Sequence, residues 1–267
     1  MRNFIYAANW KLNKSPKEAD AFFKDFLGRL PKGVLGASSS GGEKQIVFFV
    51  PALTLFSSLE SVKRANAGAV LRLGLQNSYW EAKGAFTGEN SASVAEEMGA
   101  EWLLVGHSER RSLFGETDAD TAKKVAAGFQ AGLAPMLCVG ETLSEREAGE
   151  TIDVVRRQLQ AVLQVEALKA KITSGSAFVI AYEPVWAIGT GKVATPEQAS
   201  EVHQAIRGIL KAELGDKTAQ AISILYGGSV KADNAKAIGG MPDIDGFLVG
   251  GASLEPASFA GLFRTES

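Results

Sequence analysis

The feature that most constrains this chain is a repeated alternation. Short strand-like apolar runs occur at residues 4–9, 45–50, 69–75, 101–106, 134–139, 177–182, 221–226 and 245–249, eight in all. Between them lie helix-like stretches, clearest at 16–30, 117–131, 144–171 and 196–214. Ser15-Pro16 and Thr195-Pro196 each place a capping hydroxyl before a proline at the first helical position. The strand-like runs are mostly unbroken apolar segments, the pattern of strands buried on both faces. Eight β–α units in 267 residues imply parallel strands joined by helical crossovers. A closed barrel accounts for the count better than an open sheet, and no break in composition marks a second domain. The expectation is an α/β chain forming a single (β/α)8 barrel with parallel strands over residues 1–267.

Composition narrows the classes of function. The net charge is −2, so no global basic field exists to hold nucleic acid or an anionic membrane. Any anionic ligand is therefore expected to be small and held locally. No run of about 18 apolar residues appears, which argues against a membrane span. The first nine residues enter a strand-like pattern without the apolar region of a signal peptide. The single cysteine, Cys138, suits a reducing compartment and reads as a small core residue within an apolar run. These features predict a cytoplasmic protein. With only two histidines, a His-rich metal site is not expected.

A barrel assigns a side to each loop, with chemistry at the C-terminal ends of the strands and stability at the other end. The low-complexity segment 33–42 joins a helix to the second strand, so it is expected on the face opposite the chemistry. On the chemical rim, the first strand runs into Asn9-Trp10-Lys11 and the fourth into Gly106-His107-Ser108-Glu109-Arg110. The sixth ends at Glu183, the seventh at Tyr226-Gly-Gly-Ser229 and the eighth at Gly250-Gly251-Ala252-Ser253. One cation, one imidazole, one carboxylate and two glycine-rich turns thus converge. Glycine pairs leading into helices bare successive backbone N–H groups, which can cradle a phosphate without net charge. After the seventh and eighth strands this is the usual phosphate site of such a barrel.

Glu183 is the expected general base. Pro184 stops the ladder beyond it, and Gly189 and Gly191 give the next segment the freedom of a closing lid. Trp186 and Ile188 are larger and more apolar than a plain solvent loop requires. Lys11 is suited to offset a dianion or a developing oxyanion. His203, inside a helical stretch, reads as structural, and Ser108 shows no triad-like pattern with either histidine.

These segments resemble the triosephosphate isomerase family. Asn9-Trp-Lys-Leu-Asn13, Val105-Gly-His-Ser-Glu-Arg110, the twelve residues from Ala181-Tyr-Glu-Pro to Gly-Thr-Gly-Lys192, Tyr226-Gly-Gly-Ser-Val230 and Leu248-Val-Gly-Gly-Ala-Ser253 look like its motifs, in its order. Gln76-Asn77 with Gly84-Ala-Phe-Thr-Gly-Glu89, and Cys138-Val-Gly-Glu141, are similar too. The departures are the Ser/Gly-rich expansion near residue 40 and Val50-Pro-Ala-Leu, where the family often has a Pro-Pro pair. The resemblance implies the TIM barrel and the interconversion of dihydroxyacetone phosphate and glyceraldehyde 3-phosphate, with no cofactor and no metal. It implies Glu183 as base, His107 as neutral electrophile and Glu109 as the carboxylate supporting the histidine. Asn9 and Lys11 match the substrate-contacting positions; Gly189, Ser229, Gly250 and Gly251 match the phosphate contacts. Ile188 and Gly189 would close over the substrate, with Tyr226 and Glu141 anchoring the loop. The loop 76–89, which carries Trp80 and Phe86, would insert into a second subunit beside its Lys11, giving a homodimer.

Three rivals share parts of this pattern. A Schiff-base aldolase needs an amine on an inner strand, where Glu183 stands instead. A metal-dependent epimerase needs a ligand cluster. A catalytically dead barrel would serve as a scaffold.

Overall fold

Residues two apart along the strands fall into the same apolar layer, and this alternation builds the molecule. The computed structural model describes residues 2–31, 41–188 and 193–264. Its strands are β1 (Arg2–Asn9), β2 (Gly41–Val50), β3 (Leu71–Leu75), β4 (Trp102–Val105), β5 (Ala134–Val139), β6 (Val179–Tyr182), β7 (Ser223–Tyr226) and β8 (Gly246–Val249). They close into one barrel in sequence order, β8 returning to β1, with every neighbouring pair parallel. This is the (β/α)8 architecture that the alternation predicts.

Inward residues Ile5, Ala7, Val47, Phe49, Leu104, Met136, Cys138, Ala181 and Leu248 fill the barrel as one apolar cluster. Outward residues of the same strands, among them Tyr6, Ala8, Phe48 and Ile180, pack beneath the surrounding helices in a second, larger cluster. Trp10, Phe22, Phe23, Phe26, Phe48 and Phe259 interlock there, their ring centroids 5.0–5.7 Å apart. They pin the helices Pro16–Arg29 and Pro256–Gly261 against β1 and β2. Cys138 is fully buried, and burial followed by the Glu183 charge pushes its thiol pKa well up, in keeping with a core role.

The helix starts match their sequence signals. Ser15 and Thr195 each form a capping box, with Glu18 and Gln198 closing the reciprocal bond. The stretch 144–171, expected as one helix-like segment, is three helices instead: Leu143–Glu147, Thr151–Leu163 and Glu166–Thr173. Gly149, in the left-handed region at φ 74°, ends the first, and the extended backbone of Val165 separates the other two. The second strand starts earlier than expected, because Arg2 of β1 pairs with Gly41. Gly41 and Gly42 therefore belong to β2 rather than to a linker, and residues 33–40 of that segment lie outside the described residues. Ala221 ends the helix Asp216–Ala221 instead of opening β7.

Register brings the chemistry to one level. Val139 pairs with Tyr182 and Tyr182 with Tyr226, so Gly140, Glu183 and Gly227 emerge side by side from β5, β6 and β7.

Candidate active site

Lys11 is held by its neighbours rather than by strand geometry. Its backbone lies in the left-handed region, φ 53°, which costs a non-glycine residue on the order of 1–2 kcal/mol. Asn9 Oδ1 accepts the Lys11 N–H at 3.0 Å, and Gln76 Nε2 donates to the Lys11 carbonyl at 3.0 Å. Trp10 between them is buried and donates its indole N–H to the Ser253 carbonyl at 3.2 Å, tying this turn to the one after β8. The Lys11 ammonium meets a Glu109 carboxylate oxygen at 2.7 Å. It also lies across Gly250, where a Cβ would stand 3.7 Å from Nζ.

His107 caps the helix Ser108–Phe114 directly after β4. Its Nδ1 accepts the backbone N–H of Glu109 at 3.2 Å, one of the unpaired donors at a helix start. In its neutral form the imidazole therefore keeps its one proton on Nε2, which faces Glu183 Oε1 at 2.9 Å. Burial presses the imidazole towards the neutral form, but the charge and hydrogen bond of Glu183 more than reverse this and raise its pKa.

Glu183 sits at the tip of β6, 2% exposed. The Ser108 N–H donates to Oε2 at 2.9 Å and the Ser108 hydroxyl reaches Oε1 at 3.4 Å. Burial would raise the carboxyl pKa. The His107 charge and hydrogen bond, the Ser108 N–H and Lys11 together overcome that and lower it. Glycine is required on both sides. A Cβ at Gly140 would stand 1.8 Å from the Glu183 carbonyl oxygen, and one at Gly227 would stand 2.9 Å from its Cγ.

One open cavity of about 600 Å³ joins these groups to the glycine-rich turns. Asn9, Lys11, His107, Glu183 and Ile188 line it together with Ser229, Gly250 and Gly251. Of the residues expected at the site, Gly189 lies outside the described residues. Glu109 does not line the cavity and acts on it through Lys11 and the His107 ring. After Gly250 the chain enters a 3-10 turn, Gly251–Leu254, whereas the turn after β7 reaches a helix only at Ala235.

Beyond Glu183 the residues expected to anchor the loop, Glu141 and Tyr226, are both buried. Glu141, fully buried, accepts from Trp186 Nε1 at 2.8 Å and from the Tyr182 hydroxyl at 3.1 Å, and Arg146 stacks over the Trp186 ring. The Tyr226 hydroxyl is buried without a hydrogen-bond partner among the described residues, and burial raises its pKa to about 12.

Sequence reading missed two supports. Ser108, weighed only as a nucleophile, holds the carboxylate. Glu116 accepts the Gly106 N–H at 3.0 Å, the Arg110 guanidinium at 2.6 Å and the ammonium of buried Lys124, fixing the end of β4 just before His107. A buried acid behind a strand tip leaves no local sequence signal except its position shortly after the motif. Among the described residues no group of three or more His, Cys, Asp or Glu side chains could hold a metal ion, and no helix is long and apolar enough to cross a membrane.

Fold and site together define a (β/α)8 barrel whose rim sets a carboxylate–imidazole pair opposite two glycine-rich turns. Comparison with known proteins gives the same direction a family. The family model described as triosephosphate isomerase matches residues 4–266. A triosephosphate isomerase of Bdellovibrio bacteriovorus is 51% identical over 258 residues, covering 97% of this chain and 98% of the relative. Those of Acetivibrio thermocellus and Solibacter usitatus are 46% and 45% identical over 264 residues, covering 98% of this chain in each case and 98% and 99% of the relatives. The chain belongs to the triosephosphate isomerase family.

Proposed function

We infer that the chain is a triose-phosphate isomerase that interconverts dihydroxyacetone phosphate and D-glyceraldehyde 3-phosphate, the aldose–ketose step of glycolysis and gluconeogenesis. The observation that carries the reading is the pairing of Glu183 and His107 at 2.9 Å, on the wall of the cavity that also takes in Ser229, Gly250 and Gly251. Anchored by its phosphate at the glycine-rich turns, a three-carbon substrate presents its reacting carbons to the carboxylate and its oxygens to His107 and Lys11.

In this reading Glu183 removes a proton from the carbon next to the carbonyl and returns it to the neighbouring carbon, through an enediolate. Such a base typically contributes about 10²–10⁴-fold. His107 donates from Nε2 to the substrate oxygens. This division of labour is the one established for the family. The geometry adds a reason for it here. While Glu183 rests on His107 and Ser108 its pKa is lowered and that of His107 raised. When the carboxylate leaves to meet substrate, the influence that raised the histidine goes with it. Burial and the Glu109 N–H on Nδ1 then favour the neutral imidazole. Lys11, balanced by Glu109, faces the developing oxyanion. Asn9 holds the Lys11 turn and presents its amide to the cavity. Gly189, with Ile188, completes the phosphate end as the lid, which keeps water from the intermediate.

The chain works as one catalytic domain over residues 1–267, in the cytoplasm, as a homodimer joined through loop 76–89. In that loop Tyr79 and Trp80 stack at 4.1 Å and Phe86 packs on Tyr79 at 4.5 Å, while Lys123 lies over Trp80. An aromatic block of this kind is preformed for insertion.

The test is a coupled assay with glyceraldehyde 3-phosphate on the wild type, Glu183→Asp and Glu183→Gln. Fast turnover that falls at least 10²-fold in both variants is expected. An inactive wild type would return the barrel to the scaffold reading.

A further inference from the structure

The described phosphate end of the cavity offers backbone N–H groups and hydroxyls, which carry no net charge. Lys11 is cancelled by Glu109 at 2.7 Å. Ionised Glu183 then leaves this wall of the site with one net negative charge, in a chain whose own net charge is −2. A phosphate dianion approaching such a site would be repelled unless a further cation stood near its entrance.

Lys231 meets that requirement. It is exposed and lines the same cavity as Ser229 and Gly251. Its position is fixed by a short relay: the Lys231 N–H donates to Asn234 Oδ1 at 2.8 Å, and Asn234 Nδ2 donates to the Ser229 carbonyl at 3.1 Å. The backbone that carries the ammonium is therefore locked to the backbone of the phosphate turn. Among the described residues its side chain makes no ion pair, and Asp233, two residues on, does not line the cavity. An unpaired cation tethered at the mouth of a site with no other net positive charge among its described residues draws dianions in and weighs against uncharged analogues.

We propose that Lys231 is a specificity-determining residue of this enzyme, recruiting the phosphate dianion of the substrate to the mouth of the site. The proposal rests on the isomerase reading for its substrate, but its electrostatics apply to inorganic phosphate as well.

Lys231→Gln, Lys231→Glu and Lys231→Arg are compared with wild type at roughly 0.01 M and 0.15 M salt, where the screening length falls from about 30 to 8 Å. At low salt Lys231→Gln is expected to lower kcat/KM for glyceraldehyde 3-phosphate about fourfold, the scale of a unit charge acting on a dianion across about 10 Å of water. The loss should be larger in Lys231→Glu, absent in Lys231→Arg and smaller at the higher salt, with kcat unchanged. Unphosphorylated glyceraldehyde should react equally with all four proteins. The dissociation constant for inorganic phosphate, measured by calorimetry, should rise by the same factor. That measurement tests the proposal even if the wild type fails to turn over triose phosphate, which would count against the isomerase reading alone. Equal phosphate affinity in wild type and Lys231→Glu at low salt would overturn the proposal. So would a matching loss towards glyceraldehyde, which would mark a merely structural role.

Discussion

At the scale of single residues the two histidines are opposite cases. His107 owes its raised pKa to a carboxylate it must later lose; His203 owes a lowered one to burial, which no partner reverses. Glu183→Gln removes the charge that lifts His107 and leaves its burial intact, so the His107 pKa should fall. Proton NMR can follow this directly, because only two histidines titrate. An unchanged value would mean that Glu183 does not control the imidazole. His203 is fully buried beneath Tyr182 and Tyr226, with Nδ1 on the Asp243 carbonyl at 2.9 Å. Burial lowers its pKa to about 4 against 6.5 in the unfolded chain. The folded state thus prefers it neutral: its contribution is intact above pH 6.5 and is lost as pH falls from there to about 4. The gap of about 2.5 units corresponds to about 3 kcal/mol. The stability advantage of wild type over His203→Gln, from urea unfolding, should shrink by about that much between pH 7 and pH 4. A constant difference would assign the acid sensitivity to other groups.

Elements show where sequence reading succeeds and where it stops. The caps at Ser15 and Thr195 were legible because their partners stand three residues away, and Thr195→Ala should cost about 1 kcal/mol in unfolding free energy. Asn9, Lys11, His107, Glu183 and the glycine turns were legible because a barrel sends every strand end to the same rim. Legibility ended where a partner is brought in by folding or where breaks are subtle. Nothing local in 144–171 fixes its two interruptions except Gly149. Ser108 looked like a nucleophile without a base, because its contact with Glu183 spans 75 residues. The Glu116 network is of the same kind, joining the tip of β4 to the next helix through Lys124. Glu116→Ala would leave Lys124 buried with its carboxylate gone, a loss of about 3–5 kcal/mol. It would also free the Gly106 N–H, so kcat should fall while KM changes less. If urea unfolding shows a loss below about 1 kcal/mol, water or Asn77 is compensating the ammonium and the network is weaker than its geometry implies.

For the whole molecule, the distribution of exposed apolar side chains argues most strongly for a partner. Leu12 follows β1, Leu53 and Phe56 follow β2, Phe86 follows β3, and Leu113 and Phe114 follow β4. In a barrel closed in sequence order these segments occupy one continuous half of the chemical rim. Single exposed apolar residues need no explanation, but six grouped on adjacent loops do. Lys11 and the helix Ser108–Phe114 that His107 caps lie in the same half, so covering this surface would also stiffen the turn whose lysine is held in a strained conformation. In the proposed homodimer a second copy of the chain, docked isologously, would cover it. Phe114→Glu places a charge where a 69%-exposed ring stands in the single chain. Sedimentation should then show the wild type dimeric at micromolar concentration and the variant monomeric. The variant's kcat/KM should be lower and recover as its concentration is raised. A fully active variant monomer would separate catalysis from assembly, leaving the strain at Lys11 to be held by Asn9, Gln76 and Trp10 alone.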